Sequence, residues 1–267
     1  MNAAVRAWLD LVGLRQRARL LRGRGVTDIQ ADRRALVRRL APGKSWIDVG
    51  GMWGIHGAMA FEAEAAGATE VVLFDGMDPS DEFEAEHARR SSAIRYVQGD
   101  LHDPDGIGEL GTFDVVWCTG VLYHSPNPYW QVEQLRRLTG ERLLVGSRVI
   151  PELPGFPQAC LFYPGLADAA RRTLPEEVGR ESGLTTPFDR SPLLGYANWW
   201  WGITPSALRA MLDAANFRVD QDLPESPFLT RFLATPVDRG STIPPLDFSR
   251  RRGAERLAER DERPGWA

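Results

Sequence analysis

The sequence has few cysteines and histidines. Its 267 residues include two cysteines, Cys118 and Cys160, and four histidines. Two cysteines are too few for a disulfide framework or a thiolate metal site, and the histidines do not show the spacing of metal ligands. The sequence therefore predicts a protein that works without a bound metal ion.

Long apolar runs are also missing. A membrane-spanning helix needs about 20 consecutive apolar residues, and no run here approaches that length. The first 25 residues carry arginines among their apolar positions, whereas a secretory signal has an apolar run after a charged start. We therefore expect a cytoplasmic protein with no membrane segment. The hydrophobic fraction of 43% and the charged fraction of 25% are ordinary for a globular chain with one large core.

Lysine is nearly absent, and the positive charge is unevenly distributed. Residues 1–44 contain ten arginines, the single lysine and three aspartates, a net charge of about +8 in a chain whose net charge is −4. A basic segment on an acidic body could bind a phosphate-bearing partner such as RNA. The alternative is an amphipathic helix with a solvated arginine face, which the lack of interleaved aromatic residues favours.

A short apolar run that ends in an acid and a glycine-rich turn organises the sequence. Residues 45–57 read SWIDVGGMWGIHG, which predicts a buried parallel strand, a loop and the start of a helix. Glycines beyond the carboxyl end of such a strand let backbone N–H groups approach a ligand. The dinucleotide pattern G-x-G-x-x-G fails, because Met52 and Ile55 stand at its second and third glycines. An NAD-dependent oxidoreductase is therefore the least favoured class.

The pattern acid-x-G-x-G-x-G fits better. Asp48, Gly50 and Gly54 match it, with Met52 in place of the central glycine. Here the sequence resembles the class I methyltransferases that use S-adenosylmethionine (SAM). The resemblance implies an α/β fold with a Rossmann-like, doubly wound sheet of seven strands. It also implies that SAM is the cofactor and that Asp48, Gly50, Gly51 and Gly54 belong to its site.

Acids follow two further predicted strands. Residues 70–74 form the second strand, and Asp75 ends it, where a carboxylate can accept hydrogen bonds from both ribose hydroxyls. Residues 94–98 form the third strand, shortly before Asp100. The resemblance implies that Asp100 accepts from the adenine amino group and that the N–H of Leu101 meets a ring nitrogen.

The most specific match is the fourth predicted strand and its loop. Residues 113–118, FDVVWC, run into TGVLYHSPNP, which is typical of this methyltransferase class. The resemblance implies that backbone carbonyls near Cys118 and Thr119 accept from the ammonium group of SAM. It also implies that the loop borders the acceptor, so Tyr123 and His124 are the candidate catalytic residues.

A general base is needed only where the acceptor must lose a proton to become nucleophilic. His124 could instead have no role in proton transfer, because family members with unrelated acceptors also carry histidine at this position. His56, at the start of the first domain helix, is a third candidate. Its alternative is a hydrogen bond within the glycine-rich loop.

An aromatic-rich insertion follows the fifth predicted strand. Residues 150–203 combine prolines, glycines and aromatic side chains without a regular period, and a segment of this length is usually a functional lid. We expect it to enclose the acceptor. Trp199, Trp200 and Trp201 cannot all face one core from a helix or a strand, so at least one is expected to be exposed or to line a pocket.

The sequence predicts three parts. Residues 1–44 form an N-terminal helical flank, residues 45–236 form the SAM-binding domain, and residues 237–267 form a charged tail. In the flank, residues 3–22 are predicted as one helix laid across the core, and Asp32 is predicted to cap a second.

Helix signals also precede a closing hairpin. Thr204 is a good N-cap, and Pro205 suits the first helical position. The sequence predicts a helix from there to about Ala215. Two strands, at residues 217–219 and 231–235, are predicted to complete the fold.

Two segments are similar to a narrower group, the SAM-dependent enzymes that modify wobble uridine in tRNA, including one that transfers a carboxymethyl group. Residues 113–150 carry G-V-L-Y-H-x-x-x-P, and residues 198–217 carry N-x-W-x-x-x-x-P-S-A-L. The carboxymethyl-transferring relatives have a longer N-terminal region than the 47 residues that precede Asp48. The resemblance therefore implies the fold and the cofactor, and not the tRNA substrate.

We expect a methyltransferase that transfers a methyl group by in-line displacement to a small or medium-sized acceptor. An RNA-modifying transferase that uses residues 1–44 is the alternative among enzymes. A non-catalytic binding module is the alternative in another class, because Met52 replaces a glycine that would permit positive φ and close passage of the cofactor.

Overall fold

The computed structural model describes residues 3–22, 26–172, 175–186, 188–189 and 198–238. Nearly all of the predicted tail lies outside these ranges. The helices are α1 (Ala3–Leu21), α2 (Val26–Leu40), α3 (Ala58–Ala65), α4 (Asp81–Arg90), α5 (Pro104–Leu110), α6 (Pro128–Leu138), α7 (Asp168–Arg171), α8 (Glu176–Glu181) and α9 (Pro205–Ala214). The strands are β1 (Ser45–Val49), β2 (Glu70–Asp75), β3 (Arg95–Gln98), β4 (Phe113–Thr119), β5 (Thr139–Arg148), β6 (Cys160–Phe162), β7 (Trp201–Ile203), β8 (Phe217–Ser226) and β9 (Leu229–Pro236).

Seven strands form one sheet in the order β3-β2-β1-β4-β5-β9-β8. The strands from β3 to β5 are parallel to their neighbours, whereas β9 is antiparallel to both β5 and β8. The strand order reverses between β1 and β4, and open α/β sheets bind their ligands at such a switch point. The predicted doubly wound, seven-stranded fold is confirmed.

The central strands are apolar on both faces because helices cover both. On one face, Ile47 of β1 and Leu143 of β5 share a core with Leu208 of α9. On the other face, Trp46 and its neighbours on the sheet pack against Val37 of α2 and against α3. The continuous apolar runs in the sequence follow from this double burial.

The flank helices differ from the prediction in two respects. Helix α2 begins at Val26, so Asp32 lies inside it and is not its cap; Ile29, half-buried two turns before Leu36, extends the apolar face toward the N-terminus. Helix α1 has the predicted extent but does not lie across the main core. It packs in a separate cluster, where Leu9 and Val12 contact residues of α8 and of the β8–β9 turn.

Helix α9 starts as predicted. Thr204 Oγ1 accepts the Ala207 N–H at 3.3 Å, and Pro205 occupies the first turn. Helix α5 was not predicted, although Asp103 and Pro104 carry the same pair of signals and Asp103 does cap it. The hairpin strands exist but are longer than predicted. Among the described helices, none is long and apolar enough to cross a membrane.

Candidate cofactor and acceptor site

The carboxyl ends of the four strands β1 to β4 meet at one edge of the sheet. Gly50 donates its N–H to the Phe74 carbonyl at 2.8 Å, and Gly99 donates to the Asp75 carbonyl at 2.9 Å. Strand β4 lies beside β1 in parallel register. The predicted cofactor residues that follow or end these strands are Gly50, Gly51, Gly54, Asp75, Asp100, Leu101, Cys118 and Thr119.

The Asp75 carboxylate fastens the glycine-rich loop to the end of β2. Its Oδ2 accepts the Met52 N–H at 2.9 Å, and its Oδ1 accepts the Met77 N–H at 3.0 Å. Each carboxylate oxygen can accept more than one hydrogen bond. Asp75 can therefore hold the loop and still accept from a ligand hydroxyl.

The Met52 side chain turns away from the strand edge. It is 1% exposed and packs in the core with Phe83, and its sulfur accepts the Ser80 N–H at 3.4 Å. Met52 is not among the residues with positive φ, whereas Gly50 and Gly54 have φ of 76° and 67°. The backbone at position 52 therefore does not need a glycine.

Two glycines are required because other groups approach them closely. A β-carbon at Gly50 would overlap the Val121 side chain, and one at Gly51 would lie 2.5 Å from Asp48 Oδ2. Nothing approaches Gly54 within 4 Å. The loop thus packs against Val121 and Asp48 and leaves open space above Gly54.

Asp48 lies beneath the loop and does not face the strand edge. It is 1% exposed, and its Oδ2 has no hydrogen-bond partner in the described part of the chain. Burial, followed by the charge of Asp75, raises the pKa of Asp48 to about 7. Its close approach to Gly51 suits a residue that supports the loop.

This pKa makes stability depend on pH. In the folded protein the Asp48 carboxyl keeps its proton up to about pH 7, whereas the unfolded chain loses it near pH 4. Because the folded state binds more protons between these values, the free energy of unfolding falls as the pH rises through this window. We expect Asp48→Asn to remove this fall, so that its stability relative to the wild type rises by at least about 1 kcal/mol from about pH 5 to about pH 8. Urea unfolding at both pH values measures the gain, and equal pH slopes for the two proteins would contradict it.

A histidine that the sequence analysis did not select connects two of the loops at the edge. Asp100 Oδ1 accepts the His102 backbone N–H at 2.8 Å and lies 2.9 Å from His102 Nδ1. His102 Nε2 lies 2.9 Å from the buried Ser125 Oγ. The loop after β3 is thus joined to the loop after β4. The only signal in the sequence was the position of His102, two residues after Asp100.

The loop after β4 carries an aromatic cluster. A short 3-10 turn covers Leu122–His124. The Tyr123 ring lies 4.1 Å from the His124 ring and 4.5 Å from the Trp199 ring, measured between centroids. His124 Nδ1 lies 2.8 Å from the Asn198 carbonyl, so Nδ1 must donate its proton there. The two candidate catalytic residues therefore lie together against the insertion.

Burial raises the pKa of Tyr123, and the charges of Arg148 and Arg33 oppose this change. The phenol therefore stays protonated at neutral pH. A protonated phenol donates a hydrogen bond and does not accept a proton. The Tyr123 hydroxyl is therefore suited to orienting a ligand, and His124 is left as the candidate base.

The three adjacent tryptophans are all half-buried and face different partners. Trp199 packs on Tyr123, and Trp200 meets Phe188 edge-on at 5.0 Å. Trp201 donates from Nε1 to the Pro126 carbonyl at 3.0 Å. Trp201 also lines a cavity beside His102. The three side chains therefore do not share one core, and one of them lines a pocket, as expected.

His56 lies at the end of the glycine-rich loop, just before α3. Its Nδ1 is 2.8 Å from Ser80 Oγ and 3.6 Å from Glu82 Oε2, so it contacts the start of α4. It also has a positive φ of 48°. These contacts favour the interpretation that His56 stabilises the loop.

A buried ion cluster supports this edge from α2. Both oxygens of Glu225 on β8 accept from Arg33, at 3.0 and 2.9 Å, and Arg231 Nε on β9 lies 2.6 Å from Glu225 Oε1. Burial lowers the pKa of Arg231, and Glu225 opposes this change. The cluster was missed because its members lie up to 192 residues apart. In the described ranges, no group of three or more histidine, cysteine or acidic side chains could hold a metal ion.

Comparisons with known proteins agree with this geometry. Residues 48–141 match the family model described as a methyltransferase domain. The fold is similar to magnesium protoporphyrin IX methyltransferase from Synechocystis PCC 6803, at 16% identity over 88% of this chain and 99% of that chain, with a TM-score of 0.51. It is also similar to 1,6-didemethyltoxoflavin-N1-methyltransferase from Burkholderia thailandensis, at 16% identity, 89% and 92% coverage and a TM-score of 0.51. Both of those structures contain bound S-adenosylhomocysteine (SAH).

An O-methyltransferase family protein from Burkholderia thailandensis has a TM-score of 0.55, at 12% identity, and the match covers 79% of this chain and 57% of that one. No curated protein sequence matches the chain significantly. The structural likenesses show the fold, and the family match covers the strands and loops that carry the predicted motifs. Residues 48–141 thus carry a methyltransferase domain, and the sheet that contains them has the fold of the class I SAM-dependent methyltransferases.

Proposed function

We propose that this enzyme transfers the methyl group of SAM to a small or medium-sized acceptor that residues 150–203 enclose. The observation that carries this proposal is the attachment of the insertion to the loop after β4. Trp200 donates its N–H to the Tyr123 carbonyl at 2.8 Å, and the Asn198 carbonyl accepts from His124. This attachment supports the proposal that the insertion borders the acceptor and limits its size.

The residues at the edge suit SAM. The Asp75 carboxylate would accept from the ribose hydroxyls, and the Asp100 carboxylate, with its side chain 70% exposed, would accept from the adenine amino group. The N–H of Leu101 and the carbonyls near Cys118 and Thr119 would complete the contacts. Gly50, Gly51 and Gly54 would form the loop beside the cofactor, with Asp48 as its support. When bound, SAM supplies a methyl group on a positively charged sulfur.

The chain's own groups would align the acceptor, exclude water and take up a proton. Because His124 Nδ1 donates to the Asn198 carbonyl, Nε2 of the neutral ring is the nitrogen able to accept a proton. Tyr123 would orient the acceptor through its protonated hydroxyl. Trp199 would form an aromatic wall beside both residues. Alignment and exclusion of water supply most of the rate in a displacement on so reactive a donor.

A small acceptor is favoured over RNA because three of the eleven basic residues of the flank are already paired with acids of the body. Arg33 pairs with Glu225, Arg38 with Glu62, and Lys44 with Glu141. These pairs reduce the charge available to phosphates. In addition, the toxoflavin methyltransferase structure holds 1,6-didemethyltoxoflavin, a small-molecule acceptor. RNA remains the alternative acceptor.

The test uses SAM with a labelled methyl group and a cell extract separated into low-mass and tRNA fractions. We expect label in low-mass products, whereas label in tRNA alone would overturn the proposal in favour of the RNA alternative. His124→Asn is expected to lower kcat by about a hundredfold and to leave calorimetric SAH affinity unchanged. Equal turnover in this variant would remove His124 as the base without removing the transferase activity.

A further inference from the structure

Helix α1 has apolar side chains on two opposite faces. One face, with Leu9 and Val12, is buried against Val178 and Phe228. The other is exposed, with Leu11 at 42%, Leu14 at 62% and Leu21 at 89% of their full accessible surface. We call this second face the exposed stripe. Its members, all exposed, are Ala4, Ala7, Leu11, Leu14, Ala18 and Leu21.

The exposed stripe has the spacing of a helix–helix contact. Its members are separated alternately by three and four residues, the a and d positions of a heptad repeat. A solvated helix face does not need this order. Alanine at half of the positions allows two helix axes to approach closely, and leucine at the others fills the space between them.

We propose that the exposed stripe is the interface of a homodimer in which α1 of a second copy lies antiparallel across it. The order of residues suits this pairing. In an antiparallel pair centred between Leu11 and Leu14, each Leu11 meets Leu14 of the second copy and each Ala7 meets Ala18. Each Ala4 meets Leu21. The same patch thus contacts itself around a two-fold axis, which closes the assembly at two chains.

The charges beside the stripe favour the antiparallel orientation. Asp10 and Arg17 hold the g positions of the repeat, and g positions face each other across an antiparallel pair. Asp10 of each copy would then lie opposite Arg17 of the other, in addition to its existing pair with Arg6 at 3.5 Å. In a parallel pair, Asp10 would lie opposite Arg15 and Arg17 opposite Arg22, so one of the two contacts would join like charges.

A second copy suits the stripe better than a membrane surface. Three alanines give little apolar area to a lipid phase, and Asp10 would be repelled by anionic headgroups. A partner helix uses the alanines for close packing and Asp10 for an ion pair. The stripe, about 26 Å long at 1.5 Å per residue, is long enough for six side-chain layers.

Sedimentation velocity of the full chain at tens of micromolar tests this proposal. We expect a species of twice the chain mass of 29.8 kDa. Asp10→Arg and Leu14→Glu should each raise the dissociation constant of the dimer at least about tenfold. The double variant Asp10→Arg/Arg17→Asp should return it to the wild-type value. Arg17→Asp alone should also weaken the dimer, because it brings like charges together only in the antiparallel pair. Arg34→Glu, an exposed charge reversal on α2, is the control and should have no effect.

Three results would overturn the proposal. They are a monomeric wild type throughout this range, equal dimerisation in the wild type and in Leu14→Glu, and binding of a monomer to phosphatidylserine vesicles through the stripe. Circular dichroism and SAH titration of each variant show whether the fold is intact. The charge-exchange pair keeps the test decisive if Leu14→Glu fails to fold. SAH affinity is expected to be the same in all variants, so failure of the dimer is distinguishable from failure of the cofactor site.

Discussion

Asp75→Ala is expected to weaken SAH binding by at least about tenfold, a loss of about 1.4 kcal/mol. The proposed hydrogen bonds from both ribose hydroxyls to the carboxylate would disappear, and hydrogen bonds to charged groups are the stronger kind. The N–H groups of Met52 and Met77 would also lose their acceptors, which loosens the loop. Isothermal titration with SAH and with SAM measures the change.

The matched control for Asp75 is Asp114, at the opposite edge of the same sheet. Asp114 Oδ2 accepts from the Ser45 N–H and from Ser45 Oγ, at 2.9 and 3.0 Å, so it also fastens a strand end. Asp114→Ala should cost stability and leave SAH affinity unchanged. If Asp75→Ala binds SAH as tightly as the wild type, Asp75 does not contact the cofactor. If both variants lose affinity equally, the loss reflects general loosening of the sheet.

Glu225→Gln is expected to lower the free energy of unfolding by about 3–5 kcal/mol, because breaking a buried ion pair leaves uncompensated charge in the interior. Glu225 accepts from Arg33 through both oxygens and also neutralises Arg231. Arg231 is 5% exposed, and its Nη1 has no hydrogen-bond partner among the described residues. Neutral glutamine would leave two guanidinium groups close together and poorly solvated. Urea unfolding followed by circular dichroism measures the loss.

Two further variants show whether burial causes this effect. Glu225→Gln/Arg231→Gln removes one acid and one base together and should recover a large part of the stability. Glu86 also binds two arginines, Arg89 and Arg90, but on the exposed surface of α4, where solvent screens the charges. Glu86→Gln should therefore have little effect. An equally large loss in Glu86→Gln would show that the number of ion pairs matters and burial does not.

The apolar runs of the sequence were sufficient to predict the central strands, whereas their arrangement in a seven-stranded sheet was implied by the resemblance to the methyltransferases. Residues 45–49 and 113–118 are apolar runs bounded by glycine or polar residues, and a strand covered on both faces needs such a run. Thr204 and Pro205 fixed the start of α9 because capping depends on the nearest three residues. The predicted start of α2 was wrong for the complementary reason. Asp32 is a good cap, but Ile29 extends the buried face before it, and burial outweighed the local signal.

The candidate site was predicted in part. The sequence located Asp75, Asp100 and the loop of Tyr123 and His124, because each follows a strand whose end must lie at the same edge in a parallel sheet. It did not predict the link from Asp100 through His102 to Ser125, since that link depends on how two separate loops pack. From the sequence, Met52 was expected to hinder close passage of the cofactor. The folded loop shows instead that its side chain is turned into the core.

The sequence by itself thus determined the central strands and the position of the glycine-rich loop, because short-range periodicity and motif spacing encode them. The fold and the cofactor were implied by its resemblance to the class I methyltransferases. Tertiary structure decided what surrounds each of those residues. It buried Asp48 beneath Gly51 and raised the pKa of its carboxyl group, and it brought Glu225 to Arg33 across 192 residues of chain. Burial and charge pairing arise between segments distant in sequence, so no local pattern specifies them.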